Sequence, residues 1–254
     1  MRRILVTALG LGLIVACTEN PTDSIPASES TAGGPLALGA ATANSSATRS
    51  YEVTIYNLTG GQPFTPPLVA THKRPADVFT VGEAASLGVK EIAENGNLGP
   101  LAEALGESKH VSDVVIALEE VPPILPGASR TFSVDAGPGA KWLSWVSMLI
   151  CTNDGFTGAD SFRLPKRVGD QTENYTAGYD AGTEINTENY ADIVPPCQGI
   201  FEVMVEDGSD MSDPALAEGG VITHHSGIQG GDDLDAGFHG WDDPVAKIVI
   251  ERVS

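Results

Sequence analysis

The chain has 254 residues, 14 of them basic and 34 acidic, for a net charge of −20 at neutral pH. That balance repels the phosphates of nucleic acid and of anionic lipid, and it favours cations as ligands. Hydrophobic residues make up 41% of the chain, enough for a folded core, so the acidity does not mark a disordered polyanion.

The first residues read as an export signal. Met1-Arg2-Arg3 is a basic start, and Ile4 to Ala16 is an apolar, small-residue run too short to span a bilayer as a stable helix. It ends Ile14-Val15-Ala16-Cys17, which resembles a bacterial lipobox, where the peptide is cut before the cysteine and the cysteine takes the lipid. The alternative is an ordinary signal peptide cut nearby, with Cys17 incidental. Residues 1–16 are thus expected to be a lipoprotein signal peptide, and 17–50 a lipidated cysteine with a flexible tether rich in Ser, Thr, Ala, Pro and Gly. This places the protein as an exported, membrane-anchored lipoprotein of the outer membrane or cell surface, touching the membrane through Cys17. Removing Arg2 and Arg3 takes the charge from −20 to −22, with 12 basic and 34 acidic residues left.

The folded domain is expected over 51–254. Tyr51 to Tyr56 (YEVTIY) alternates and predicts a half-buried strand, which Gly60-Gly61 and the prolines at 63, 66 and 67 break. Between Gly82 and Gly106, Ala, Leu and Glu at helical spacing predict two short helices, near 84–94 and 99–105. Strand texture returns at 113–119 (DVVIALE), 129–135 (SRTFSVD), 141–150 (KWLSWVSMLI), 201–206 (FEVMVE) and 245–253 (VAKIVIERV). Short strands between Gly/Pro turns, without a βαβ rhythm, predict an all-β fold, an antiparallel sandwich with one or two short helices in a long connection.

The stretch from Cys151 to Cys197 carries the chemistry. After the apolar run, the chain is expected to stop burying side chains at Cys151 and to present Asn153, Asp154 and Asp160, with the tight Tyr179–Glu184 segment (YDAGTE) following. Carboxylates interleaved with glycine suit calcium, which takes six to eight oxygen ligands in flexible geometry. The plainer reading is turn chemistry, because Asp and Asn bond their own backbone. With Cys17 acylated, Cys151 and Cys197 are left as a pair in a compartment where disulfides persist; two buried free thiols are the alternative.

Toward the end, THHSGIQGGDDLDAGFHGWDDP holds three of the five histidines, His224, His225 and His239, among aspartates. Zinc or a second calcium could use such a cluster, but no fixed zinc spacing is present, and adjacent histidines on a strand point to opposite faces. A solvated acidic loop with packing or capping histidines is the simpler reading. No G-x-S-x-G elbow appears, and aromatics are only 6%, too few to line a typical glycoside-hydrolase cleft. Trp142 and Trp145 are expected in or beside the core, with a ligand-facing surface as the alternative.

The pieces KWLSWVSMLICTNDGFTGADSF, YDAGTE, FTPPLVATHK, Phe79–Gly82 and the closing HHSGIQG…WDDPVAKIVIERV resemble the spondin N-terminal (Spondin_N) domain family in its bacterial lipoprotein form, from about Tyr51 to Val253. TNDGFTG and YDAGTE are the most specific of them. The resemblance implies a sandwich similar to C2 domains, calcium held by loops at one end, and extracellular-matrix or cell-surface association rather than catalysis. It places the calcium carboxylates on Asp154, Asp180 and Glu184, the last departing from the family's frequent aspartate. The expected function is a calcium-binding adhesion module for an extracellular protein or glycan, with no nucleic-acid partner; a metal-assisted or carboxylate-based hydrolase is the alternative.

Overall fold

Two antiparallel sheets carry the fold. The computed structural model describes residues 48–117, 123–202, 208, 211–231 and 233–254. The expected signal peptide, Cys17, the expected tether up to residue 47, residues 118–119 of one expected strand and residues 203–206 of another lie outside the described residues. The first sheet contains β1 (Arg49–Asn57), β4 (Ser129–Ala136), β7 (Gln171–Thr176) and β10 (Ala246–Arg252), in the order β4-β1-β10-β7. The second contains β2 (Leu68–His72), β3 (Val111–Ile116), β5 (Trp142–Met148), β6 (Gly155–Arg163), β8 (Gly178–Asp180) and β9 (Thr223–His224), in the order β3-β2-β5-β6-β8-β9. The fold is therefore the all-β sandwich that the strand pattern predicts.

The expected strands at 51–56, 129–135, 141–150 and 245–253 are present, and the described part of the one at 113–119 falls in β3. The first and last pair directly, Tyr51 with Arg252 through Asn57 with Ala246. The helices form as α1 (Leu87–Asn95) and α2 (Gly99–Glu107). Ser86 caps α1 by accepting from the Val89 amide, and Gly96 ends it in the left-handed region at φ 64°. Residues 201–202 form a turn rather than the start of a strand.

The strands β2, β6, β7, β8 and β9 were not expected, and the layering explains the first two. Tyr51, Val53 and Ile55 of β1 pack with Leu143, Trp145 and Val69 between the sheets. On the outer side of the second sheet, Leu68, Ala70, Val146, Met148 and Phe156 pack under α1 and α2 against Val89, Ile92, Leu101 and Leu105. The second sheet is thus covered on both faces, so the short β2, LVATH, is buried throughout and shows no alternation. In β6, a Cβ on Gly158 would lie 2.2 Å from the Trp145 carbonyl, so glycine is what lets the polar GFTGADSF segment pair with β5.

Only Ala177 separates β7 from β8, so one stretch of chain passes from the first sheet into the second. Thr157 braces that passage, bonding Thr176 Oγ1 and donating to the Ala177 carbonyl, each at 2.9 Å. β5 and β6 both run between the two ends of the sandwich. One end holds Cys151 and Asp154, the other Trp142 and Arg163.

Candidate metal centre

The site end is built on the buried start of β6. Asn153 and Asp154 are only 2% and 0% exposed, so the chain does not stop burying side chains at Cys151 as the sequence suggested. Asp154 instead anchors the loop after β8. Its Oδ2 accepts from the Thr183 amide (2.7 Å), the Thr183 hydroxyl (3.2 Å) and the Glu184 amide (3.0 Å), and its backbone carbonyl accepts from the Ala181 amide (3.1 Å). The other oxygen, Oδ1, is buried and has no hydrogen-bond partner among the described residues. A bare buried carboxylate oxygen is costly unless a proton or a cation meets it.

Asp180 lies beside Asp154 because β6 and β8 pair Gly155 with Asp180. Its Oδ1 accepts from the Gly182 amide and its Oδ2 from the Asn186 side chain, both at 2.7 Å. Gly182 makes the turn possible. Its φ is +67°, and a Cβ there would lie 2.6 Å from the Val221 backbone. Burial first, and then the Asp180 charge, push the Asp154 carboxyl up from 3.8 to about 6.

Glu184 points elsewhere. It is buried, gives its backbone N–H to Asp154, and its Oε1 accepts from the Asp213 amide at 3.1 Å. Burial, and then the Glu94 charge, push its carboxyl from 4.5 to about 7, and Asp154 comes last among its electrostatic neighbours. The structure thus brings Asp154 and Asp180 together and directs the Glu184 carboxylate toward α1. Of the lesser candidates, Asn153 accepts from the Thr187 and Glu188 amides, whereas Asp160, in β6, accepts from the Val78 amide and the Ser144 hydroxyl of β5, away from this loop.

Cys151 and Cys197 form a disulfide with their Cα atoms 5.1 Å apart. Cys197 lies in α3 (Pro196–Ile200), so the bond ties the end of β5 to the far side of the loop region. Gln62 seals it from the other flank: Nε2 donates to the carbonyls of Cys151 (3.1 Å) and His239 (2.8 Å), and Oε1 accepts from the Cys151 amide (3.1 Å). Among the described residues, Cys151, Cys197 and His239 are the group whose donor atoms lie within 4.8 Å of one another. Sulfurs bonded to each other have no thiolate to offer a metal.

The His/Asp segment is divided by the fold. His224 is exposed and His225 buried, on opposite faces as the strand geometry requires, while His239 closes α4 (Ala236–His239) beside the disulfide. Three of the aspartates serve backbone amides: Asp233 accepts from Tyr190, Asp235 from Phe238, and Asp243 from Gly178. Asp232 lies outside the described residues.

Glu188 escaped the sequence reading. It is buried, and its carboxylate accepts from the amides of Gln229 (2.6 Å), Gly230 (2.7 Å) and Gly231 (2.9 Å). Backbone amides forty residues away leave no side-chain signature that a sequence could reveal. Glu188→Gln keeps one accepting oxygen but turns an NH₂ toward those donors. It is expected to destabilise the fold by about 2 kcal/mol, lowering the melting temperature by about 6 °C; a melt within about 1 °C of the parent contradicts this role.

The Spondin_N family model matches residues 56–207, more than half of the chain. The chain belongs to the spondin N-terminal domain family. No curated protein matches it. The match takes in Asp154, Asp180, Glu184 and both cysteines, but stops before His224 and β10, which the resemblance in the sequence had included. Those segments are nevertheless part of the spondin domain's sheets, since β9 pairs with β8 and β10 with β1. Membership makes this an extracellular-type domain. Among the described residues no helix is long and apolar enough to cross a membrane.

Proposed function

We propose that this spondin domain is a surface-tethered, calcium-binding module that attaches to an extracellular protein or glycan and performs no catalysis. The observation that supports it is the buried, partnerless Asp154 Oδ1 beside Asp180. Two carboxylates, joined by loop carbonyls and water, are the hard oxygen donors that calcium prefers. Asp154 and Asp180 fit that ion; Glu184 joins them only by releasing the Asp213 amide. Lipidation at Cys17 would hold the domain at the membrane.

A metal-assisted or carboxylate-based hydrolase is the competing reading, since raised carboxyl pKa values also mark general acids. Asp154, however, is fully buried, and an acid must reach its substrate. A ligand ion asks only for enclosure.

Calorimetry and thermal melts in calcium, magnesium and chelator test the calcium site. Calcium is expected to bind at about 10⁻⁴–10⁻³ M or tighter, to raise the melting temperature, and to outdo magnesium, which resists irregular, dehydrated sites. Asp180→Asn removes most of the calcium-dependent rise, while Glu184→Gln keeps at least half of it. Equal loss in both variants means that the loop turns inward and all three carboxylates bind. Identical melts in calcium and chelator, with no heat of binding, sink the proposal.

A further inference from the structure

At the end of the sandwich opposite Asp154, the charge changes sign. Arg49 opens β1, Lys73 and Arg74 follow β2, Lys109 precedes β3, Lys141 precedes β5, Arg163 closes β6 with Lys166 and Arg167 after it, and Arg252 closes β10. Backbone bonds fasten these segments together: the Lys73 amide to the His110 carbonyl (2.8 Å), Lys141 to His72 (3.0 Å), Leu164 to Lys141 (3.0 Å) and Gly169 to Arg252 (2.8 Å). Nine of the 12 basic residues beyond the expected signal therefore share one pole of a chain that, without Arg2 and Arg3, carries −22 overall. Asp77, Glu107, Asp113, Asp135, Asp160, Asp170 and Glu251 are the acids of the same or adjoining segments, seven against nine cations.

These cations are not spent internally. The ion pairs among the described residues are Lys90–Glu94, His224–Asp243 and Lys247–Glu173, none of them at this pole. The Arg49 guanidinium donates to the carbonyls of Gly137 and Ala140, neutral acceptors that leave its charge standing, whereas that of Arg252 donates to the Lys166 carbonyl and to a main-chain oxygen of Ser254, the last residue of the sequence. Trp142 is in contact with both Arg74 and Arg163, whose guanidinium carbons lie 4.9 and 5.5 Å from the ring centroid. Beside it, Arg163, Lys166 and Arg167 line a cleft of about 420 Å³ together with Asp170. Val168, at the tip of that loop, is 63% exposed.

We propose that this pole docks on an anionic bilayer surface, with its lysines and arginines on lipid phosphates, Trp142 at headgroup level and Val168 entering the interface. A basic cluster carrying an indole and one bare aliphatic side chain is the composition that such surfaces select. The net charge reads as excluding anionic lipid, but that exclusion assumes the charge is spread evenly. Here the acidic excess sits away from the pole. The chain also enters the domain at this pole, at Thr48, 31 positions after Cys17. On the anchor reading, on which this part of the argument rests, the pole is held at high effective concentration beside the lipids.

The test mixes the full chain, purified from an exporting host, with phosphatidylcholine vesicles and with vesicles that also contain phosphatidylglycerol. Flotation with phosphatidylcholine alone reports the anchor; hydrogen-exchange protection of the Lys166–Val168 amides reports the pole. The chain is expected to float with both, and protection is expected only with phosphatidylglycerol, fading in high salt. Combining Lys141→Gln, Lys166→Gln and Arg167→Gln weakens docking on the order of 100-fold while leaving the melting temperature unchanged. Flotation with both and protection with neither overturns the docking and leaves the anchor standing. Flotation and protection with anionic vesicles alone removes the anchor and keeps the pole. Equal protection by a short single-stranded DNA marks a general polyanion surface and overturns the lipid assignment.

Discussion

Replacing both cysteines, Cys151→Ala with Cys197→Ala, is expected to lower the melting temperature by about 12 °C. The bond closes a span of 46 residues, which in the chain-entropy account stabilises the fold by about 4 kcal/mol, and a domain of this size loses about 3 °C per kcal/mol. That span contains β6, β7, β8 and the whole site loop, so the unfolded chain regains freedom where the native state has most to order. Both cysteines are fully buried, so a reductant added to the folded protein acts only through opening, and the double variant is the cleaner measurement. The calcium-dependent increment is expected to shrink as well, because Asp154 lies three residues beyond Cys151. A variant that melts within about 3 °C of the parent contradicts this account.

In chelator, the protein is expected to be more stable at pH 5 than at pH 8. Asp154 moves from 3.8 to about 6 on folding and Glu184 from 4.5 to about 7. A carboxyl whose folded pKa is raised contributes stability that is fully present below its unfolded value and lost as pH rises through the folded one. The loss therefore falls between about pH 4 and pH 7. For Asp154, the more deeply enclosed of the two, it amounts to about 3 kcal/mol, or about 9 °C. If the proposed calcium site is right, saturating calcium is expected to abolish the fall toward pH 8, with protons competing with the ion at low pH. Melts in chelator across that range decide the matter. Greater stability at pH 8 than at pH 5 would show that the site carboxyls are not strained by their charge.

How much of this could be read from the sequence follows from which faces meet water. β1, β4 and β10 alternate because one side of the first sheet is wet, and each announces itself. β2 hides its strand character under a second layer, and β6 hides it behind glycines whose purpose, clearing the Trp145 carbonyl, is visible only in three dimensions. The cysteine pairing followed from parity alone. Asp154 and Asp180 stood out as carboxylates beside glycine, but the depth of Asp154 did not, because polar residues after a strand read as surface. Glu184 shares a turn with Asp180 in sequence, yet that turn delivers its backbone to Asp154 and its side chain to the Asp213 amide.

The place of β1 has a mechanical meaning. It is an inner strand, hydrogen-bonded to β4 along one edge and to β10 along the other, and the chain feeds into it directly at Arg49. A pull between Thr48 and anything gripped near Asp180 runs along the axis of that strand, from one end of the sandwich to the other. Both ladders lie across the line of force, so their rungs bear the load together rather than opening one after another from an edge. A domain pulled through such a strand resists being drawn out of itself.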